Sequence, residues 1–537
     1  MSLTIVIPFK ETSGTTDPAF LLSPGGLGGA LVVGAGRPPP SDMLSPDRVF
    51  VFEDAKSAQK LLFALGLEVA RPVCLSTLFR ILEREAPERP HVCASLTDAE
   101  LRASVVHDEL HELLDALESN NLRRVARLEC LVTRPFASME FHGLHIEQVR
   151  WQALIDEAAL LKKEAQRKVC EHFSIELPTE TALFSDNSAL AEDAALNHLL
   201  DSSQRMKPLI ERVLGKSVKD TRRETLESIG HPAIKELLDY REQAKLLSTY
   251  GKRFLEHVHT TTGRIHASFD ALGTSSGRVS CASPNLQNLP SDGRFHACVA
   301  APHGRMLVTA DYSACELRVL AGLSEDPALL AAFEKDSDVH AEVATTMFGV
   351  AVSKTENAHL RKKAKAINFG LMYGMGARGL ARTLECSNTE AETLFAAYFK
   401  AYPKVARYLE HLVDNALTNG YATTVLGRRL RFDEDVLTAK NARGQIERIA
   451  KNMPIQGTAA EIMKLAMVRL QERLSSDFSG AFFVNMIHDE IVLECESKDA
   501  EALARVVKTE MEEAMVQLLP LVRPKAEVNA GPEWKHD

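Results

Sequence analysis

Three short segments carry residue types that suit metal and phosphate chemistry. In the first, the apolar run Met306 to Ala310 ends at Asp311 and continues as Tyr312-Ser313-Ala314-Cys315-Glu316-Leu317-Arg318. A carboxylate at the end of a buried strand, where the chain turns into a helix, lies at a sheet edge and can hold a cation, although a helix cap reads equally well. The second is Met486-Ile487-His488-Asp489-Glu490-Ile491-Val492-Leu493-Glu494, after Phe482-Phe483-Val484. Acids flanked on both sides by β-branched and aromatic residues predict a tight turn between two buried strands. His107-Asp108-Glu109 repeats the tripeptide inside a charged amphipathic helical pattern, so the setting carries the meaning. Burying Asp489 beside a second carboxylate is costly without a metal, so pairing it with Asp311 across a divalent ion is chemically sensible.

The third segment runs from Arg361 to Gly376. Arg361, Lys365, Phe369 and Tyr373 recur every four residues, which puts them on one face of a helix about four turns long. Two cations followed by two aromatics form a graded surface, with charge for phosphates and then flat rings for a base or sugar. A solvated basic stripe is the alternative, and the rings on the same face weigh against it. Gly374 and Gly376 are expected to end the helix.

These residues need a scaffold, and 537 residues suffice for roughly three or four domains. The 45% hydrophobic and 25% charged composition is that of a globular protein and excludes collagen-like, disordered and disulfide-stapled classes. Nine cysteines without a C-x-x-C pair argue against a zinc ribbon or disulfide framework and read as reduced thiols. No apolar run approaches the ~18 residues of a membrane span, and Met1 to Lys10 lacks a basic n-region, so no membrane partner and a cytoplasmic location are expected. The net charge of -10 seems unfavourable for a polyanionic partner, yet residues 1–120 alone hold 10 Lys+Arg against 17 Asp+Glu. The remainder is nearly balanced. It contains two basic stretches, Arg205 to Arg223 and Arg361 to Arg382.

Along the chain, Leu3 to Pro8 and Arg48 to Phe52 read as strands, Pro24 to Pro40 as a Gly/Pro-rich loop, and 55–65 and 97–117 as helices, together a small α/β module. Glycines 25, 26, 28 and 29 fit no nucleotide fingerprint. Helical periodicity dominates from Arg123 to about Tyr250, including Trp151 to Phe173 and Pro232 to His257. Mixed strand and helix follow, closing with a strand pair at Phe482 to Glu494 and a helix at Ala500 to Leu519.

Taken together, the three segments resemble motifs A, B and C of the bacterial DNA polymerase I family, the family A DNA polymerases. The residues that match are Asp311-Tyr312-Ser313-x-x-Glu316-Leu317-Arg318, Arg361-x-x-x-Lys365-x-x-x-Phe369-Gly370-x-x-Tyr373-Gly374 and His488-Asp489-Glu490. Two further stretches match in the right order: Ser276-Gly277-Arg278 with Pro284-Asn285-Leu286-Gln287-Asn288-Leu289-Pro290, and Asn452-x-Pro454-x-Gln456-Gly457-Thr458-Ala459-Ala460-Glu461. Weaker similarity extends from about Leu128 to Gly531-Pro532-Glu533-Trp534.

The resemblance implies an α+β multidomain right-hand polymerase, with an antiparallel-sheet palm and helical fingers and thumb, preceded by the small α/β module. Its implied boundaries are thumb 123–250, palm 251–322 and 445–537, and fingers 323–444, with 1–122 a reduced exonuclease-like or unrelated module. It implies a template-directed DNA polymerase working as a monomer on primer-template DNA and dNTPs, nucleoid-associated if bacterial. Asp311 and Asp489 would bind two Mg²⁺ ions, with Mn²⁺ able to substitute, and Glu490 would support them. Arg361, Lys365 and His340 would contact the triphosphate, with Lys365 placed to protonate pyrophosphate. Glu316 would act as a steric gate against a 2′-OH above Tyr373, a glutamate that single-subunit RNA polymerases lack in motif A. Phe369 implies rejection of dideoxynucleotides. Arg278, Asn285, Gln287, Arg448, Gln456 and His488 match positions that touch primer and template, and Lys245 with the Arg205 to Arg223 stretch would grip duplex phosphates. A basic residue that the family often places just after Pro290 is missing, which puts one triphosphate contact in doubt.

Many relatives carry a 3′-5′ exonuclease whose first carboxylates are spaced Asp-x-Glu on a strand. Only Asp98-Ala99-Glu100 has that spacing ahead of the thumb, and Thr97 with Glu100 reads as a capping box opening a helix. Proofreading and an upstream 5′-nuclease domain are therefore not expected. The rivals are a nuclease with 1–122 active, which would shorten a labelled strand without dNTPs, and a catalytically dead DNA-binding relative, which would have lost Asp311, Asp489, Arg361 or Lys365.

Overall fold

The computed structural model describes residues 3–9, 19–24, 31–33, 49–52, 54–64, 69–83, 96–175, 188–290, 292–335, 338–372, 374–433 and 442–535. The chain divides into two compact units. The larger comprises 1–144, 266–287 and 301–532, and the smaller comprises 145–265, 288–300 and 533–537.

Within the larger unit, the N-terminal module is a five-stranded mixed sheet flanked by helices. Its strands are Leu3–Phe9, Ala19–Pro24, Leu31–Val33, Val49–Phe52 and Pro72–Cys74, with Leu3–Phe9 antiparallel to Ala19–Pro24 and parallel to Val49–Phe52. The expected loop over 24–40 therefore contains a strand. The run Leu31-Val32-Val33 pairs with Phe20 to Leu22 and extends the antiparallel side, as β-branched residues favour. Glycines 25, 26, 28 and 29 lie outside the described residues. The helix Leu96–Ser119 starts one residue before Thr97, so Thr97 stands inside its first turn and the expected cap position is corrected. Asp98 and Glu100 also lie in this helix, not on a strand. Leu110, Leu113 and Leu117 on one of its faces join a buried core that also holds Phe50, Phe52 and Leu78.

The functional part of this unit rests on a four-stranded antiparallel sheet ordered Phe482–Ile487, Glu490–Glu496, Arg305–Tyr312, Ala526–Gly531. Buried Val308, Ala310, Leu493 and Cys495 line its covered face, where the Tyr312 hydroxyl donates to the Met511 carbonyl of helix Ala500–Leu518 at 2.6 Å. Helix Ala442–Asp477 packs beside that helix and continues through Pro454. Helices Pro327–Glu334, Val339–Phe348, Ala358–Met372, Ala377–Leu384, Asn388–Ala401 and Pro403–Asn419 follow the sheet's central strand in sequence.

The smaller unit is helical. Helices Gln148–Phe173 and Pro232–Tyr250 pack along each other and bury Val169, Phe173, Leu237 and Tyr240. The expected helix to His257 stops at Gly251, where the chain turns closely enough that a Cβ would meet the Leu247 carbonyl oxygen at 2.2 Å. Trp151 stacks on Phe254 at 4.5 Å and meets Phe295 edge-on at 4.9 Å, which ties 288–300 into this unit. These packings make the compact units differ from the boundaries expected at 122/123 and 250/251. Helices Arg123–Leu131 and Thr133–His142 belong to the larger unit, because Ala126 and Cys130 join the module's core and Phe136 stacks on Phe269. Among the described residues, no helix is long and apolar enough to cross a membrane, and none of the eight described cysteines is in a disulfide.

Candidate active site

Asp311 and Asp489 come together at one end of the four-stranded sheet. Asp311 is paired in register with Glu490 on one neighbouring strand and with Glu527 on the other, and the Tyr312 N–H donates to the Asp489 carbonyl at 3.2 Å. Asp489 occupies the two-residue turn of the hairpin, after His488 at φ 53. A left-handed histidine costs about 1 kcal/mol where glycine is the ordinary occupant, so this turn holds an exposed side chain at an energetic cost. Burial and the neighbouring Asp489, Glu490 and Glu527 carboxylates push the Asp311 carboxyl up to about 8. Such a concentration of hard oxygen donors fits a hard divalent cation. Among the described residues no group of three or more His, Cys, Asp or Glu side chains has metal-holding geometry.

Helix Cys315–Ser324 starts immediately after this strand and packs against helix Ala358–Met372. That second helix presents Arg361, Lys365 and Phe369 on its outer face while Ala364, Ile367 and Asn368 are buried on the inner one, the division its four-residue spacing requires. Tyr373, expected on the same face, lies outside the described residues. Arg361 donates from Nε and Nη2 to Asp338 Oδ2 at 2.8 and 2.6 Å. His340 packs 5.8 Å from the Phe369 ring, and Lys365 Nζ lies 5.7 Å from that ring. Gly374, at φ +63, ends the helix so close to helix Ala442–Asp477 that a Cβ would meet the Arg448 Cα at 2.8 Å.

Glu316 and Arg278, assigned separate roles from the sequence, form an ion pair here. Burial raises the Glu316 carboxyl against the lowering influence of Arg278. The Gln287 amide donates to Met486 Sδ at 3.4 Å, which places it beside the Asp489 hairpin, while the exposed Asn285 accepts the Gln287 N–H at 2.9 Å. Arg448 and Gln456 lie on helix Ala442–Asp477. Lys245 is exposed on Pro232–Tyr250 of the smaller unit. The basic stretch Arg205 to Arg223 is partly neutralised within that unit, because Arg222 pairs with Asp220 and Arg223 with Glu227 and Glu242.

Sequence reasoning passed over a buried ionic network behind the Arg278 loop. Glu129 accepts from both Arg428 and Lys464, Lys464 Nζ also donates to the Ala271 carbonyl at 2.7 Å, and Arg428 Nε lies 3.8 Å from Glu461. Gly277, at φ +84, lies against this network, where a Cβ would meet Arg428 Nε at 2.5 Å. Its four charges come from three distant stretches of chain, with Glu461 and Lys464 sharing one helix, so no local pattern announces the whole. Asp338 and Asn368 were also missed. Asp338 was visible only as a helix cap ahead of Val339–Phe348, and Asn368 carries no signal of its own.

The model of DNA polymerase family A matches residues 167–536. DNA polymerase I of Caldicellulosiruptor bescii is 38% identical over 333 residues, covering 61% of this chain and 38% of its own length. The thermostable DNA polymerase I of Thermus aquaticus is 40% identical over 331 residues, 60% of this chain and 39% of its own. That of Geobacillus stearothermophilus is 33% identical over 465 residues, 84% of this chain and 50% of its own. The chain thus spans about half or less of the curated relatives it matches. Among solved structures, the POL domain of Pol1 from M. smegmatis, in complex with DNA primer-template and dNTP, superposes with a TM-score of 0.78 at 27% identity, covering 99% of this chain and 95% of that one. Members of the family work with divalent metal ions. By motif order, family match and fold, the chain belongs to the family A DNA polymerases, of the right-hand polymerase class.

Proposed function

We propose that the protein is a template-directed DNA polymerase that adds dNTPs to a primer 3′-OH, acting as a monomer on primer-template DNA and without proofreading. The observation that carries this reading is the convergence of Asp311 and Asp489 at one sheet end, on a strand leading into a helix that packs against the Arg361 helix. Asp311 and Asp489 would hold two Mg²⁺ ions, or Mn²⁺ in their place, with Glu490 in support. Bound there, the ions would lower the pKa of the primer hydroxyl and neutralise charge on the α-phosphate and leaving pyrophosphate. Arg361 and His340 bind and orient the triphosphate, and Lys365 gives its Nζ proton to the departing pyrophosphate oxygen. Phe369 disfavours dideoxynucleotides, and Tyr373 would support the sugar and base below the Glu316 gate. Arg278, Asn285, Gln287, Arg448, Gln456 and His488 follow primer and template, and Lys245 holds duplex phosphate. In this reading 123–250 is thumb, 251–322 and 445–537 are palm, and 323–444 is fingers.

Primer extension on a labelled, mismatched primer with Mg²⁺ tests the reading. Elongation only with dNTPs, and no shortening of the labelled strand without them, is expected; shortening without dNTPs would favour the nuclease alternative.

The Arg278–Glu316 pair yields a sharper expectation. Glu316→Ala relaxes the ratio of kcat/KM for dNTP over rNTP by about tenfold or more, because the side chain facing the sugar is removed. Arg278→Ala relaxes it less while also weakening extension from the primer terminus, because Glu316 loses the guanidinium that orients it. Sugar selectivity unchanged in Glu316→Ala would remove the gate assignment.

A further inference from the structure

We infer that Asn368 is a positioning residue that sets the His340 imidazole in the tautomer carrying its proton on Nε2, so that the ring donates a neutral hydrogen bond to an oxygen of the incoming triphosphate. The inference rests on reading the Arg361 helix as the triphosphate-binding face. Asn368 is fully buried on the inner side of that helix, and its Nδ2 lies 3.0 Å from His340 Nδ1. Its Oδ1 is buried with no partner among the described residues, so the amide's single polar engagement is with the imidazole.

Asp338 fixes the other end of His340. Its Oδ1 accepts the N–H groups of His340 and Ala341 at 3.0 and 3.1 Å, while its Oδ2 accepts Arg361. The backbone of His340 is thereby pinned by one neighbour and its ring by another.

The groups facing the ring are Asp338, Arg361 and Lys365. Burial first, and then the two cations, outweigh Asp338 and hold the imidazole down to about 4, so it is neutral at physiological pH. A neutral imidazole has one N–H and one lone pair. When Nδ1 accepts from the Asn368 amide, Nε2 carries the proton and is the nitrogen left to face a ligand. A neutral donor complements Arg361 and Lys365 because it binds a phosphate oxygen without adding a third cation to a crowded site. The opposite amide orientation would place the proton on Nδ1 and turn a lone pair towards the phosphate, which repels it.

Two measurements on the full chain test this. Long-range ¹H–¹⁵N correlation on histidine-labelled protein, with His340 identified by the signal lost in His340→Ala, is expected to show the Nε2–H pattern. In Asn368→Asp, whose carboxylate accepts a hydrogen bond from Nδ1–H, the pattern switches. In steady-state extension, Asn368→Leu raises the KM for dNTP about tenfold, with kcat and primer-template affinity little changed, as expected for loss of one hydrogen bond to a charged group. In a His340→Ala background it has no further effect on KM. A wild-type Nδ1–H pattern overturns the inference, as does an Asn368→Leu effect that persists in full without His340. The wild-type spectrum needs no variant to fold. Wild-type protein that fails to extend a primer would sink the polymerase reading instead, while leaving the tautomer measurable.

Discussion

Asp311→Asn and Asp489→Asn are each expected to reduce single-turnover primer extension by about 10³-fold or more while leaving primer-template affinity intact. Asparagine preserves the shape of aspartate, so the hairpin and the strand end should hold their geometry, and only the negative charge disappears. That charge is what a divalent ion needs here, and it contributes nothing favourable to binding a polyanionic duplex. Affinity for DNA should therefore stay level or rise slightly. A thermal melt provides a readout independent of turnover. Mg²⁺ should raise the Tm of the wild type, because an ion that binds the native state adds RT ln(1 + [L]/Kd) to its stability, and raise that of either variant much less. The three carboxylates around Asp311 give the reason, since a bound cation would relieve their repulsion with it. Retained extension in either variant, or an equal Mg²⁺ shift in all three proteins, would contradict the metal assignment.

Glu129→Ala is expected to destabilise the protein by about 3–5 kcal/mol in urea unfolding, the largest single effect on stability among the changes considered. Glu129 is fully buried and serves two cations, so its removal strands Arg428 and Lys464 together, with Glu461 3.8 Å from Arg428 and the neutral Ala271 carbonyl on Lys464 as remaining described partners. Replacing Glu129 and Lys464 together by glutamine and methionine should recover part of the loss, because fewer unpaired charges remain.

The network also shapes the pH dependence. Burial holds Lys464 down from its ordinary 10.5 to about 8, so between those values the unfolded chain binds more protons and stability rises with pH. Burial pushes Glu461 up from 4.5 to about 7, so over that window the native state binds more protons and stability falls as pH rises. Glu461→Gln should flatten the lower window and leave the upper one. An unchanged unfolding midpoint in Glu129→Ala would show that the network contributes little.

The elements of the candidate site were largely legible in the sequence because its pieces are local. The four-residue spacing of Arg361, Lys365 and Phe369 predicts a shared helix face, and the structure exposes that face while burying Ala364, Ile367 and Asn368. The apolar run before Asp311 and the β-branched residues around Asp489 predict a strand end and a hairpin turn, and both are present. The strand at Leu31–Val33 was missed because two or three apolar residues inside a Gly/Pro-rich stretch form a strand only when another strand is there to pair with them.

Periodicity and turn chemistry thus determined which residues stand on a helix face and which on a strand end, since backbone geometry links neighbours in sequence to neighbours in space over a few residues. Partnership was left to the tertiary structure. Glu316 meets Arg278, Arg361 meets Asp338, His340 meets Asn368, and Glu129 gathers Arg428 and Lys464. Each of these contacts joins segments whose separation no local pattern encodes. Burial then decides their chemistry, because a charge withdrawn from water is tolerable only beside the partner that the fold supplies.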